Sequence, residues 1–193
     1  MLTVVTRDGQ RPACLETLKA SLNGQGVRHV LLHPTRTNER CFYNSVLNQV
    51  RDKVKEGWVM ILDDDSVVIR KNFGELVTDT VRQYQPTQVL LLPSLITPRK
   101  LHFPIPYVGP MPRHMRVDMS NLCVHSSLFQ TYAFSGRCSI DYKFLKALHK
   151  SNHSIVHRAD LPPLVWANYG GAHHGRNITC RDPTKKMPTT VQA

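Results

Sequence analysis

The sequence has no run of about 18 apolar residues, so nothing in it reads as a membrane-crossing helix. It has no Cys-x-x-Cys pair either. Its five cysteines, Cys14, Cys41, Cys123, Cys138 and Cys180, are odd in number and widely scattered. That pattern predicts reduced thiols rather than a zinc ribbon or a disulfide framework. No charged leader precedes the first strand-like stretch at residues 2–6, so no secretory signal is expected and a cytoplasmic location is. Without a signal, the acceptor-like Asn177-Ile178-Thr179 reads as a chance match. There is no internal repeat. No block of five or more basic residues occurs either, although 25 Lys and Arg against 14 Asp and Glu give a net charge of +11. A positive balance implies an anionic partner: a nucleic acid, a phosphorylated metabolite or a membrane surface. Dispersed as it is, the charge lacks the dense stripe of a nucleic-acid surface, and none is expected to bind.

What is present is an ordinary globular composition, 41% hydrophobic and 20% charged over 193 residues, which fits one domain. Residues 2–6 predict a strand, and the Gly9-Gln10-Arg11-Pro12 turn places Pro12 in the first turn of a helix. Leu15, Leu18 and Leu22 share one face of that helix, which stops at Gly24-Gln25-Gly26. A second strand over residues 27–32 ends at His33-Pro34. A second helix over residues 40–55 carries Phe42, Val46, Leu47, Val50 and Val54 at helical spacing. Strand 58–62, helix 73–84 and strand 88–92 follow. This alternation predicts an α/β domain with a mostly parallel central sheet, Rossmann-like, flanked by helices on both faces. Six prolines between Pro93 and Pro112 predict a long shaped loop over residues 93–116. Residues 117–125 read as extended and 126–134 as helical, and Asp141 is placed to cap a helix running to residue 150. A stretch at 166–171, a His-His loop and a polar tail at 177–193, expected to be mobile, complete the chain.

The most informative stretch is "GWVMILDDDSVVIR", residues 57–70, where an apolar strand runs into Asp63, Asp64 and Asp65. Three adjacent carboxylates repel one another, so positive charge belongs beside them, either Arg and Lys side chains or a metal ion. Side chains alternate along a strand, so Asp63 and Asp65 can converge on one point while Asp64 faces away. Two such oxygen ligands suit Mg2+ or Mn2+, which keep several waters and complete their shell with substrate phosphates. The competing readings are a solvated surface turn and a salt-bridged cluster. Turns favour Asp, but usually with Gly or Asn beside it, and here Val67, Val68 and Ile69 follow Ser66.

"TRDGQRP", "SLNGQ" and "YNSVLNQVRDKVKEGWVMILDDDS" together resemble the GT-A nucleotide-sugar glycosyltransferases, especially small family-two-like and virus-encoded members. The likeness spans about residues 1–95. It implies a single GT-A-like domain: a nucleotide-sugar-binding half at 1–95, then an acceptor half with a C-terminal metal loop at 96–176. It also implies a manganese (Mn2+, or Mg2+) cofactor, a UDP-sugar donor, a glycan acceptor and, for a viral chain, the host-cell cytoplasm. Asp63 and Asp65 match the outer positions of the family's D-x-D motif: Asp65 would ligate the metal, and Asp63 would contact the ribose or a metal-bound water. Asp64 between them falls on the donor side. Thr6, Arg7 and Arg11 occupy the stretch that usually holds the nucleoside. Where many relatives carry an Asp after strand two, this chain has His33-Pro34.

Arg40 and Asn44 begin the helix beside the metal strand, and Arg40 is placed to pair with diphosphate oxygens. In "GGAHHGRN", the resemblance implies His173 as the third metal ligand, ahead of His174, with Arg176 on a phosphate; a solvated loop histidine is the other reading. Asp141 and Asp118 are the candidate acids on the acceptor side, able to take a proton from the acceptor hydroxyl. Asp118 and Asn121 alternatively suit sugar hydroxyls, and each Asp also fits an ordinary cap or strand-end role. Trp166 suits either a sugar face or the core. A metal-dependent phosphodiesterase or nuclease is the alternative reading of the same acids, and a basic binding module the non-enzymatic one.

Overall fold

A computed structural model of the chain describes residues 1–9, 11–33, 46–96, 101–103, 109–114, 117–135 and 139–167. Two sheets are built from ten strands among these residues. The first has the order β2-β1-β3-β8-β5-β9, where β1 is Leu2–Arg7, β2 Arg28–Leu32, β3 Trp58–Asp63, β5 Val89–Leu91, β8 Leu122–His125 and β9 Ile155–His157. All pairings are parallel except those of β8, which runs antiparallel between β3 and β5. The expected mostly parallel sheet is therefore present.

Burial on both faces explains the strand sequences. In β1, Val4 joins one core cluster and Val5 the other, and in β3, Met60 and Leu62 face one cluster while Val59 and Ile61 face its opposite. A strand buried on both sides must be apolar at successive positions, hence the continuous runs. Helix α1 (Pro12–Leu22) covers one face with Leu18 and Leu22, and α3 (Phe73–Val81) covers it with Phe73, Val77 and Val81. Val50 of α2 (Val50–Lys53), Leu128 and Phe129 of α4 (Ser126–Thr131) and Phe144, Leu145 and Leu148 of α5 (Ile140–Lys150) cover the other. Phe134 and Phe144 stack there with ring centroids 4.4 Å apart. Each fully buried side chain of this size contributes about 1.5–3 kcal/mol.

Gly57 sets the start of β3. Its φ is +82°, and an added Cβ would lie 2.4 Å from the Met1 carbonyl oxygen, the same oxygen that accepts from Trp58 N–H at 3.1 Å.

The structure departs from expectation in several places. A second sheet, β4-β10-β6-β7, is made of β4 (Val67–Val68), β6 (Ser94–Ile96), β7 (Leu101–Phe103) and β10 (Val165–Ala167). The proline-rich stretch thus contains an antiparallel pair, Ser94 opposite Phe103, and is not wholly loop. Strands of two or three residues are too short to show a period. Asp141 does not cap α5: Ser139 holds that position, with φ +51°, and Asp141 lies in the first turn. Cys14 is disulfide-bonded, whereas Cys123 is the buried free thiol expected. Sequence separation says nothing about the Cα distance on which a disulfide depends. Among the described residues no helix is long and apolar enough to cross a membrane.

Candidate active site

Strands β1 and β3 are parallel neighbours, so their carboxyl ends open at the same edge of the sheet, where α/β domains place ligands. Their register sets Arg7 opposite Asp63, and the two side chains form an ion pair at 2.7 Å. Beyond β3 the chain reverses in a tight turn, closed by Ser66 N–H donating to Asp63 O at 2.9 Å, and enters β4. The acidic triplet is thus a turn, but not a solvated one: Asp64 is 0% and Asp65 3% exposed.

Arg11, immediately before Pro12 opens α1, reaches across to that turn. Its Nη2 donates to Asp64 Oδ1 and its Nη1 to Asp65 Oδ2. Gly9 N–H donates to Asp64 Oδ2 at 3.0 Å. A Cβ on Gly9 would lie 2.8 Å from Asp64 Oδ1 and 3.2 Å from Arg11 Nε, so glycine is required here by close approach. The positive charge that the triplet demands is therefore supplied, in the free chain, by Arg7 and Arg11. Asp64 does not face away as alternation implied, because the turn breaks the period of the strand.

Burial opposes the charge on Arg11, but the hydrogen bonds and charges of Asp64 and Asp65 outweigh it and hold the guanidinium above its ordinary range. Asp65 is pushed up to about 6, first by burial and next by the neighbouring Asp63, with Arg11 only partly compensating. Asp65 Oδ1 is buried and has no hydrogen-bond partner among the described residues.

The two acceptor-side candidates come into the same electrostatic neighbourhood. Burial raises Asp118 to about 6, and the charges of Asp63 and Asp141 add to that; burial also raises Asp141, again with a contribution from Asp63. Asp118 serves as a cap as well. Its carboxylate accepts from Ser120 N–H at 2.9 Å, while Asn121 accepts from Asp118 N–H at 2.8 Å. The Asn121 amide donates to Leu92 O and Ser94 Oγ, so that side chain holds β5, β6 and the Asp118 turn together.

Thr6 is fully buried, with its hydroxyl 2.8 Å from His29 Nε2. Trp166 is buried in β10, between Val67 of β4 and Leu95 of β6. Arg40, Asn44, His173, His174 and Arg176 lie outside the described residues. Among the described residues no three His, Cys, Asp or Glu side chains form a metal-holding group. Asp63, Asp65 and the unpartnered Asp65 Oδ1 nonetheless fit a hard cation that takes few protein ligands and completes its shell with water and phosphate.

Sequence reasoning missed the role of Gly9, visible only as a turn residue, and also His114. The latter carries no local signal, yet its ring meets Tyr142 edge-on at 5.2 Å, its Nε2 bonds Ser139 Oγ, and its charge acts on Asp141.

No family model and no curated protein sequence matches the chain. Solved structures do. S. aureus TarS 1–349 in complex with UDP is matched at TM-score 0.69 and 12% identity, over 86% of this chain and 60% of that one. The same fragment with UDP-GlcNAc gives TM-score 0.55 and 12% identity over 91% and 59%, and TarS itself gives 0.62 and 10% over 88% and 37%. This chain therefore spans less than two thirds of the TarS chains it matches. A glycosyltransferase involved in glycosylation of the major capsid of PBCV-1 is matched at TM-score 0.49 and 12% identity, over 89% of this chain and 94% of that one, a likeness too loose to carry an argument. The TarS likeness establishes the fold, a GT-A-like α/β domain.

Proposed function

We propose that this chain is a glycosyltransferase that moves a sugar from a nucleoside-diphosphate sugar, UDP-linked, to a hydroxyl of a glycan acceptor. One observation carries the reading: the carboxyl ends of β1 and β3 bring Arg7, Gly9 N–H and Arg11 against a buried carboxylate turn, at the ligand edge of a fold shared with a protein crystallised with UDP and UDP-GlcNAc.

In this reading Arg7 and Arg11 face the diphosphate, where a guanidinium fork matches two phosphate oxygens. Asp65 and Asp63, with His173 as third ligand, hold Mn2+ or Mg2+; when bound, the ion neutralises charge on the departing nucleoside diphosphate. Arg40, Asn44 and Arg176 are assigned to the donor on resemblance alone. Asp141 is the better acceptor base of the two candidates. Burial raises both carboxyls towards the range in which they take up a proton effectively; Asp141 Oδ1 accepts from Tyr142 N–H, whereas Asp118 Oδ1 accepts from both the N–H and the hydroxyl of Ser120, which fixes it more firmly in its turn. Asp118 then positions the turn that faces Asp63.

Calorimetric titration of UDP with and without Mn2+ tests the proposal. Affinity should rise at least about tenfold with the ion, equivalent to roughly 1.4 kcal/mol. Equal affinity in both would refute the assigned role of Asp65. Asp65→Ala should fold and lose the metal dependence.

A further inference from the structure

Arg11 is tied to two carboxylates that are not equivalent. Asp64 is fully buried and doubly engaged, accepting from Gly9 N–H on Oδ2 and from Arg11 on Oδ1. Asp65 gives Oδ2 to Arg11, while its other oxygen is buried without a hydrogen-bond partner among the described residues, as is Arg11 Nε. The guanidinium thus has one saturated anchor and one half-used partner. Three carboxylates meet two guanidiniums in direct contact, which leaves a net negative charge in the cluster. A cation seated against Asp65 would lie next to Arg11, and the two positive charges would repel.

We infer that Arg11 is a resident counter-cation that exchanges partners: it neutralises Asp65 in the free chain and passes that contact to the nucleotide diphosphate when a divalent cation takes Asp65. Asp64 keeps it in place throughout. The inference rests on the metal-dependent donor reading above and adds to it a source of cooperativity. The cation alone must displace Arg11 Nη1 from Asp65 without offering it another acceptor. With nucleotide present, phosphate oxygens accept the freed fork, so each ligand tightens the other by the same factor.

The test is Mn2+ binding to the full chain, followed by the electron paramagnetic resonance signal of free Mn2+, alone and with saturating UDP, together with UDP calorimetry at saturating Mn2+. Arg11→Gln should bind Mn2+ alone about tenfold more tightly than wild type, bind UDP about tenfold more weakly, and lose most of the mutual tightening. If that variant does not fold, Arg11→Lys decides. It retains the charge but not the fork, so Mn2+ affinity should stay within about threefold of wild type while UDP affinity falls. Loss of Mn2+ and UDP affinity together, in whichever variant folds, would overturn the inference, as would no change in either. Wild-type chain that binds no Mn2+ even with UDP would overturn the donor reading itself. Cooperative wild-type binding that survives in Arg11→Gln would sink only the exchange.

Discussion

Replacing Gly9 with alanine adds a single methyl group at the most crowded point of the site. That methyl would stand 2.8 and 3.0 Å from the two Asp64 carboxylate oxygens and 3.2 Å from Arg11 Nε, all closer than a carbon tolerates without movement. The backbone at Gly9 needs no left-handed conformation, so the effect comes from contact alone. Asp64 is fully buried and cannot yield without loosening its bonds from Gly9 N–H and Arg11. Overpacking of this kind costs about 1–3 kcal/mol, and weakening a hydrogen bond to a buried charge adds about 1 kcal/mol or more. A total of about 2–4 kcal/mol lowers the melting temperature by roughly 4–16 °C for a chain of this size. Thermal melts at pH 7 check the stability, and UDP titration checks the site, where affinity should drop with the displaced Arg11. A Gly9→Ala chain with wild-type melting temperature and UDP affinity would refute the packing described around Asp64.

Asp118→Asn keeps an acceptor for Ser120 N–H but removes a carboxyl raised from 3.8 to about 6 by burial. A raised pKa means that the folded chain holds the proton more tightly than the unfolded one. The wild-type contribution is therefore full below pH 4 and is lost as pH rises through 6. Two pKa units correspond to about 3 kcal/mol, and partial solvent access reduces this to about 1–3 kcal/mol. Relative to wild type, Asp118→Asn should gain that much stability between pH 4 and pH 7.5 in urea unfolding; a difference independent of pH would contradict the burial argument. Gly57→Ala should cost about 2–4 kcal/mol, because the left-handed φ and the 2.4 Å approach to Met1 O both forbid a side chain. An unchanged urea midpoint would show that β3 starts differently.

What was legible in the sequence was local. Leu15, Leu18 and Leu22 recur at helical spacing and are buried on α1, and the apolar run into Asp63 is the interior strand it looked to be. A turn proline, a helical stripe and a two-sided strand are each written within a dozen residues, because 3.6- and 2-residue periods are properties of the backbone itself. The partners of the acidic triplet were not legible. Arg11 lies 54 positions from Asp65, and Arg7 meets Asp63 only because β1 and β3 pair in one particular register. The antiparallel entry of β8, the short second sheet and the gathering of Asp118 and Asp141 towards Asp63 likewise depend on which strands become neighbours. The amino-acid order by itself set the elements and the need for positive charge beside three carboxylates. Only the packed sheet decided that two arginines supply it, since register and burial are contacts between segments far apart in the chain and leave no period in either one.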